Sequence, residues 1–148
     1  MGDAALVKTC RLILGLDGSD GSQAALEWCR EHAALLDAEV IAVGVIDLAP
    51  LIGLPWAGAP PLEDFRREMS AALEISVATL RATGVTCRTI VKEGNPAAML
   101  EEVADESGDL IVVGRRGRGG FAEMLLGSVP HALAHHARGP LLVVPLTE

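Results

Sequence analysis

Apolar residues along the chain fall into two rhythms, short solid runs and longer stretches in which they recur every three or four positions. These are the signatures of buried strands and of amphipathic helices. Residues 11–17 (RLILGLD) read as a first strand, and 22–36 as a helix with Ala25, Leu26, Cys29, Ala33 and Leu36 on its inner face. Residues 40–46 (VIAVGVI) are a second strand, followed by a Pro- and Gly-rich stretch, 47–61, that reads as a long loop or lid. A second helix over 61–81 carries Phe65, Met69, Leu73, Val77 and Leu80 on one stripe, and 85–91 is a third strand. Asn95-Pro96 supplies a cap and a first-turn proline for a helix over 97–106. Residues 110–113 form a fourth strand running directly into Gly114. A last helix over 128–137 is stopped by Gly139-Pro140, and His135, His136 and Arg138 complement its negative end. Leu141–Val144 closes the pattern as a fifth strand.

Five short apolar strands alternating with helices predict an α/β fold, a parallel sheet with helices on both faces. Right-handed crossovers leave two common layouts, a flavodoxin-like order 2-1-3-4-5 and a Rossmann-like order 3-2-1-4-5. The 148 residues show no break in composition and no internal repeat, so the expectation is a single domain over 1–148.

Ligands of such sheets sit beyond the carboxyl ends of the strands, where the strand order reverses. Strand one ends in Asp17-Gly18-Ser19, strand two in Asp47, strand three in Lys92-Glu93-Gly94-Asn95. Strand four ends in Gly114-Arg115-Arg116-Gly117-Arg118-Gly119-Gly120, and this loop stands out. Glycines let the backbone approach a ligand and let successive N–H groups converge on an anion. Gly127-Ser128 then opens the last helix, where free N–H groups, the helix dipole and a hydroxyl can face phosphate. Taken alone, Ser128 is an ordinary helix N-cap and the loop an ordinary turn; coupled at one end of a parallel sheet, they predict a phosphate cradle. Asp17 could accept from a ribose hydroxyl or help to hold Mg²⁺.

The bulk composition narrows the partners. A net charge of −8 lacks the basic footprint of a nucleic-acid binder, while Arg115, Arg116 and Arg118 concentrate cationic donors in one loop. Aromatic residues make up only 3%, too few for stacking platforms. No stretch is long and apolar enough for a bilayer, the start of the chain lacks signal-peptide character, and no membrane partner is expected. Cys10, Cys29 and Cys87 lie far apart and in odd number, which suits a reducing, cytoplasmic setting; Cys29 reads as core.

Other chemistries are tested by their signatures. There is no Gly-Lys pair for a Walker A loop, no Gly-x-Gly-x-x-Gly after strand one and no Gly-x-Ser-x-Gly elbow. A phosphoacceptor receiver domain would want Asp after strand three and Lys after strand five; neither is present. His131 and His135 share a helical face at a spacing that can bind zinc, but no third ligand is apparent, and the pair reads as solvated.

The spacing Gly114-x2-Gly117-x9-Gly127-Ser128 resembles the nucleotide-binding motif of the ATP-binding universal stress proteins. Further stretches are similar to that family: Ile13-Leu14-Gly15-Leu16-Asp17-Gly18-Ser19, Gly44-Val45-Ile46-Asp47, Gly94-Asn95-Pro96, Leu126-Gly127-Ser128-Val129 and Pro140-Leu141-Leu142-Val143-Val144-Pro145. The resemblance implies the 3-2-1-4-5 order with a site between strands one and four. It implies that Gly15, Leu16 and Asp17 contact the adenosine part and that the Val45 backbone reads adenine. Val113, Gly114, Arg116 and Gly117 would line ribose and phosphates, with Gly127, Ser128 and Val129 completing the cradle. It also implies a homodimer through Leu141–Val144, consistent with an apolar edge that otherwise stays unpaired. Two departures stand out: Pro130 where relatives carry Ser or Thr, and Arg116 where a histidine is common.

The expected function is that of a stress-response regulator that binds an adenine nucleotide, ATP first, with AMP or cAMP as alternatives and Mg²⁺ at Asp17. A slow ATPase or autophosphorylating protein, or a nucleotide-free dimeric interaction protein, are the competing readings. No general base is apparent beside the expected phosphates, which favours a binding module over an enzyme.

Overall fold

A computed structural model describes residues 10–51, 61–105, 108–117 and 125–146. In chain order the elements are β1 (Arg11–Gly15), α1 (Asp20–His32), β2 (Glu39–Ile46), a 3-10 turn (Ala49–Leu51) and α2 (Leu62–Arg81). They continue with β3 (Cys87–Glu93), α3 (Pro96–Val103), β4 (Asp109–Gly114), α4 (Ser128–His136) and β5 (Leu141–Val144). The strands form one sheet in the order β3-β2-β1-β4-β5, every pairing parallel. Of the two expected layouts, the Rossmann-like 3-2-1-4-5 is the one found. Strand order therefore reverses between β1 and β4, and their carboxyl ends diverge into different crossovers there.

Alternation along the central strands sends residues to two separate cores. Leu12 and Leu14 of β1 pack with Ala25, Leu26 and Cys29 of α1 and with Leu73, Val77 and Leu80 of α2. Ile13, Ile41, Val43, Ile111 and Val113 face the other way, against Ala97 and Leu100 of α3 and Leu133 of α4. β1 is sandwiched on both faces, which is why its three central residues are fully buried and its sequence shows no polar alternation.

The helix boundaries follow local chemistry. The Ser19 hydroxyl caps α1 by accepting from the Ser22 amide at 3.2 Å, so the helix starts at Asp20, before the expected residue 22. It ends at His32, and Leu36 lies in the turn beyond with 45% of its surface exposed, not on an inner helical face. Asn95 caps α3 by accepting from the Ala98 amide, with Pro96 in the first turn as expected. That helix stops at Val103, short of the expected residue 106, which lies outside the described residues. Gly127, not Ser128, is the cap residue of α4, and Ser128 is its first helical residue. The stretch expected as a loop or lid contains the 3-10 turn, and residues 52–60 lie outside the described residues.

At the amino end of the sheet, Arg11 Nε and Nη2 reach Asp109 Oδ1 and Oδ2 at 2.8 and 2.5 Å, tying β1 to β4. The Asp109 side chain is 3% exposed. Without Asp109, Arg11 keeps the more distant Asp105 carboxylate at 3.5 Å and the Val103 carbonyl at 3.4 Å. Asp109→Ala is expected to lower stability by about 1.5–3 kcal/mol in urea unfolding, the range of a lost charge-assisted hydrogen bond. Burial, with a smaller contribution from Cys87, pushes the Cys29 thiol up to about 12. The unfolded thiol ionises first, so stability is expected to fall as pH rises from 9.0 towards 12. Cys29→Ala is expected to flatten that decline in the pH dependence of urea midpoints.

Candidate functional site

The carboxyl ends of β1 and β4 and the first turns of α3 and α4 enclose a cavity of about 350 Å³, within the range of small-molecule sites. β1 and the turn after it contribute Gly15, Leu16 and Asp17, and β2 contributes Val43 and Val45. β4 and the loop after it contribute Val113, Gly114, Arg116 and Gly117. Gly127, Ser128 and Val129 come from the start of α4. Every site residue expected from the sequence therefore lines one cavity. Of the arginine-rich loop, Arg116 lines it, Arg115 serves through its backbone, and Arg118 lies outside the described residues.

The two glycine segments are held together by the main chain. The Gly127 amide donates to the Arg115 carbonyl at 2.8 Å, and the Arg115 amide donates to the Val144 carbonyl at 2.9 Å. β5, the loop after β4 and the start of α4 thus form one hydrogen-bonded frame.

Packing fixes the same frame from below. A Cβ on Gly114 would stand 2.3 Å from the Gly21 carbonyl carbon and oxygen, and one on Gly21 would stand 1.8 Å from the Arg116 carbonyl oxygen. These are backbone contacts that no side-chain rotation relieves. Gly117 has a different neighbour, since its Cβ would lie 2.5 Å from Asp17 Oδ2. The first β4 glycine accommodates the fold, and the second makes room for the Asp17 carboxylate.

The cavity has an apolar and a polar end. Val43, Val45, Leu100, Val113, Val129 and the ring of Pro96 form its apolar wall. The polar side brings together Asp17, Ser19, Arg116 and Ser128. Asp17 Oδ1 accepts from both the amide (2.9 Å) and the hydroxyl of Ser19, a turn completed by Gly18 at φ 79°. First-turn amides of a helix have no intrahelical acceptor, so Ser128 and Val129 present N–H groups, while Pro130 at the third position has none. Helix dipole and hydroxyl both favour an anion here. Among the described residues no group of three or more His, Cys, Asp or Glu side chains could hold a metal ion.

Ser19, Ser22, Val43, Pro96 and Leu100 line the cavity without having been expected there. The Asn95-Pro96 cap signal was legible and the Ser19 cap was not, and only the 3-2-1-4-5 order brings the first turns of α1 and α3 to this opening.

An open parallel sheet with a glycine-built cavity at its switch point is the arrangement in which α/β proteins seat small ligands. The model of the Universal stress protein family matches residues 10–145, and the chain belongs to that family. It is 36% identical over 137 residues to universal stress protein MJ0531 of Methanocaldococcus jannaschii, covering 90% of this chain and 81% of that one. It spans about half the length of a Mycolicibacterium smegmatis universal stress protein to which it is 32% identical. Hypothetical protein MJ0577 shares its fold, with a TM-score of 0.76 at 24% identity over 96% of this chain and 99% of that one. A universal stress protein crystallised in complex with cAMP has a TM-score of 0.71 at 27% identity, over 93% and 98% of the two chains.

The backbone contacts rank the glycines. Gly114→Ala is expected to lower stability by about 1–3 kcal/mol, the range of an overpacked core. Gly127, whose nearest atoms lie 3.3–3.4 Å from a built Cβ, is expected to tolerate alanine with a smaller shift of the urea midpoint.

Proposed function

We propose that this protein binds an adenine nucleotide in the cavity between β1 and β4 and acts as a nucleotide-dependent regulatory module of the stress response. The observation that carries this reading is the frame in which Gly114–Gly117 and Gly127-Ser128 are stitched by the Gly127–Arg115 hydrogen bond around one apolar-walled cavity. The base takes the apolar wall, with the Val45 backbone reading its edge and Gly15, Leu16 and Asp17 beside the nucleoside. Val113, Gly114, Arg116 and Gly117 line ribose and phosphates, and Gly127, Ser128 and Val129 close the cradle. The cAMP complex of a relative that shares the fold supports an adenine ligand.

ATP is the nucleotide proposed, with AMP and cAMP as alternatives because Pro130 withdraws one amide from the cradle. The guanidinium of Arg116 offsets that loss with charge-assisted donors. Asp17 would supply a carboxylate to a Mg²⁺ ion accompanying the phosphates, which would offset their charge. The proposed assembly is a homodimer through β5. That strand is an edge of the sheet, its Leu141, Leu142 and Val143 are only partly buried, and Leu146 beyond it is half exposed.

Calorimetric titration with ATP, AMP, cAMP and GTP tests the reading. Saturable binding of at least one adenine nucleotide, tighter than GTP, is expected. Ser128→Ala is expected to weaken it about tenfold or more, since a hydrogen bond to a charged acceptor contributes roughly 1.5–3 kcal/mol. Absence of saturable binding by all three adenine nucleotides would overturn it.

A further inference from the structure

The exposed face of α4 carries a feature that the nucleotide cavity does not use. His131 and His135 are one turn apart, both exposed, and their ring centres lie 4.7 Å apart with the planes inclined at 66°. Neither residue lines the cavity.

Two imidazoles that share one metal ion have a characteristic separation. Metal–nitrogen bonds of ~2.0–2.1 Å meeting at an angle of about 90–110° place the two ring centres about 4.5–5.2 Å apart. The observed spacing falls inside that window, so a shared ion needs only rotation of the rings about their own side-chain bonds. The backbone beneath is already fixed as helix: the His131 amide donates to the Gly127 carbonyl at 3.0 Å and the Ala137 amide to the Leu133 carbonyl at 2.8 Å. The chelate is preorganised, and its ordering cost is confined to side-chain rotamers.

We propose that His131 and His135 form a two-histidine chelate for a divalent transition-metal ion on the surface of α4, with water completing the coordination. Two neutral imidazoles favour borderline ions and disfavour Mg²⁺ and Ca²⁺, which take oxygen ligands. Among borderline divalent ions, affinity rises to Cu²⁺ and falls again at Zn²⁺. The net charge of −8 draws cations towards the surface without selecting among them. His136 follows His135 directly and projects from a different side of the helix; its ring centre is 6.3 Å from that of His135, outside the chelating window. The pair, not the triplet, is the site.

The untagged 148-residue chain is titrated with NiCl₂ and with ZnCl₂ by calorimetry, alongside retention on an immobilised Ni²⁺ column. One saturable site per chain is expected. His131→Gln and His135→Gln are each expected to weaken it at least about tenfold, the loss of a chelating partner. His136→Gln and His32→Gln are expected to leave it unchanged, and MgCl₂ to give no site. All four substitutions are at solvent-accessible positions, and circular dichroism melting confirms that each variant is folded. The proposal is overturned if the unsubstituted protein shows no saturable Ni²⁺ or Zn²⁺ binding, if His136→Gln weakens binding as much as His135→Gln, or if the His131→Gln/His135→Gln double variant still binds as the parent does.

Discussion

The main chain after β4 lies directly on the first turn of α1, and the rest of the site depends on that contact. Gly21 and Gly114 leave no room for a Cβ on either side. Because the chains meet at the backbone, the loop carrying Arg116 and Gly117 drops low enough for Asp17 to face Gly117 across the switch point. The same loop accepts from Gly127 and donates to Val144, so the start of α4 and the end of β5 are positioned by it. A single side chain at Gly114 would therefore displace three elements, not one. This explains why small residues crowd a region that is otherwise well packed, with Val112 and Val113 buried immediately before the turn.

Two cores on opposite faces of the sheet divide the labour. The α1–α2 face is the broader one and mixes leucines with Ala, Cys and Val, and contact with Met69 and Leu73 brings α2 close over Gly44 of β2. The α3–α4 face is narrower, and at the carboxyl end it gives way to the cavity, where Leu100 and Val113 belong both to the core and to the cavity wall. A ligand seated there would complete the packing of that face, so binding and stability are coupled through the same side chains.

Much of this architecture was legible because each strand is a solid apolar run and each helix keeps a clear period. β5 was found with its expected limits, and α4 and α2 within one residue of theirs. The boundaries that moved did so for local reasons invisible to periodicity. The Ser19 cap starts α1 two residues early, and Leu36 extends an apolar stripe past the turn that ends the helix. In the site, the glycine spacing and the strand ends pointed to Gly114, Gly117, Gly127, Ser128 and Asp17, while Gly15, Leu16, Val45, Val113 and Val129 were expected only from the family resemblance. Ser22, Pro96 and Leu100 were not expected, because their place depends on how far the crossover helices lean over the sheet. Gly21 carried no signal either, since the close approach it permits is to backbone nearly a hundred residues away.

The glycine frame at the switch point is the seat proposed for the adenine nucleotide. Amide NMR on ¹⁵N-labelled protein titrated with ATP tests the location most directly. The largest shifts are predicted at Asp17, Gly114, Gly117, Gly127 and Ser128, with the α2–β3 face around Ser70 and Thr89 unmoved. Shifts confined to that opposite face, or no shifts at saturating ATP, AMP and cAMP, would contradict this placement of the nucleotide.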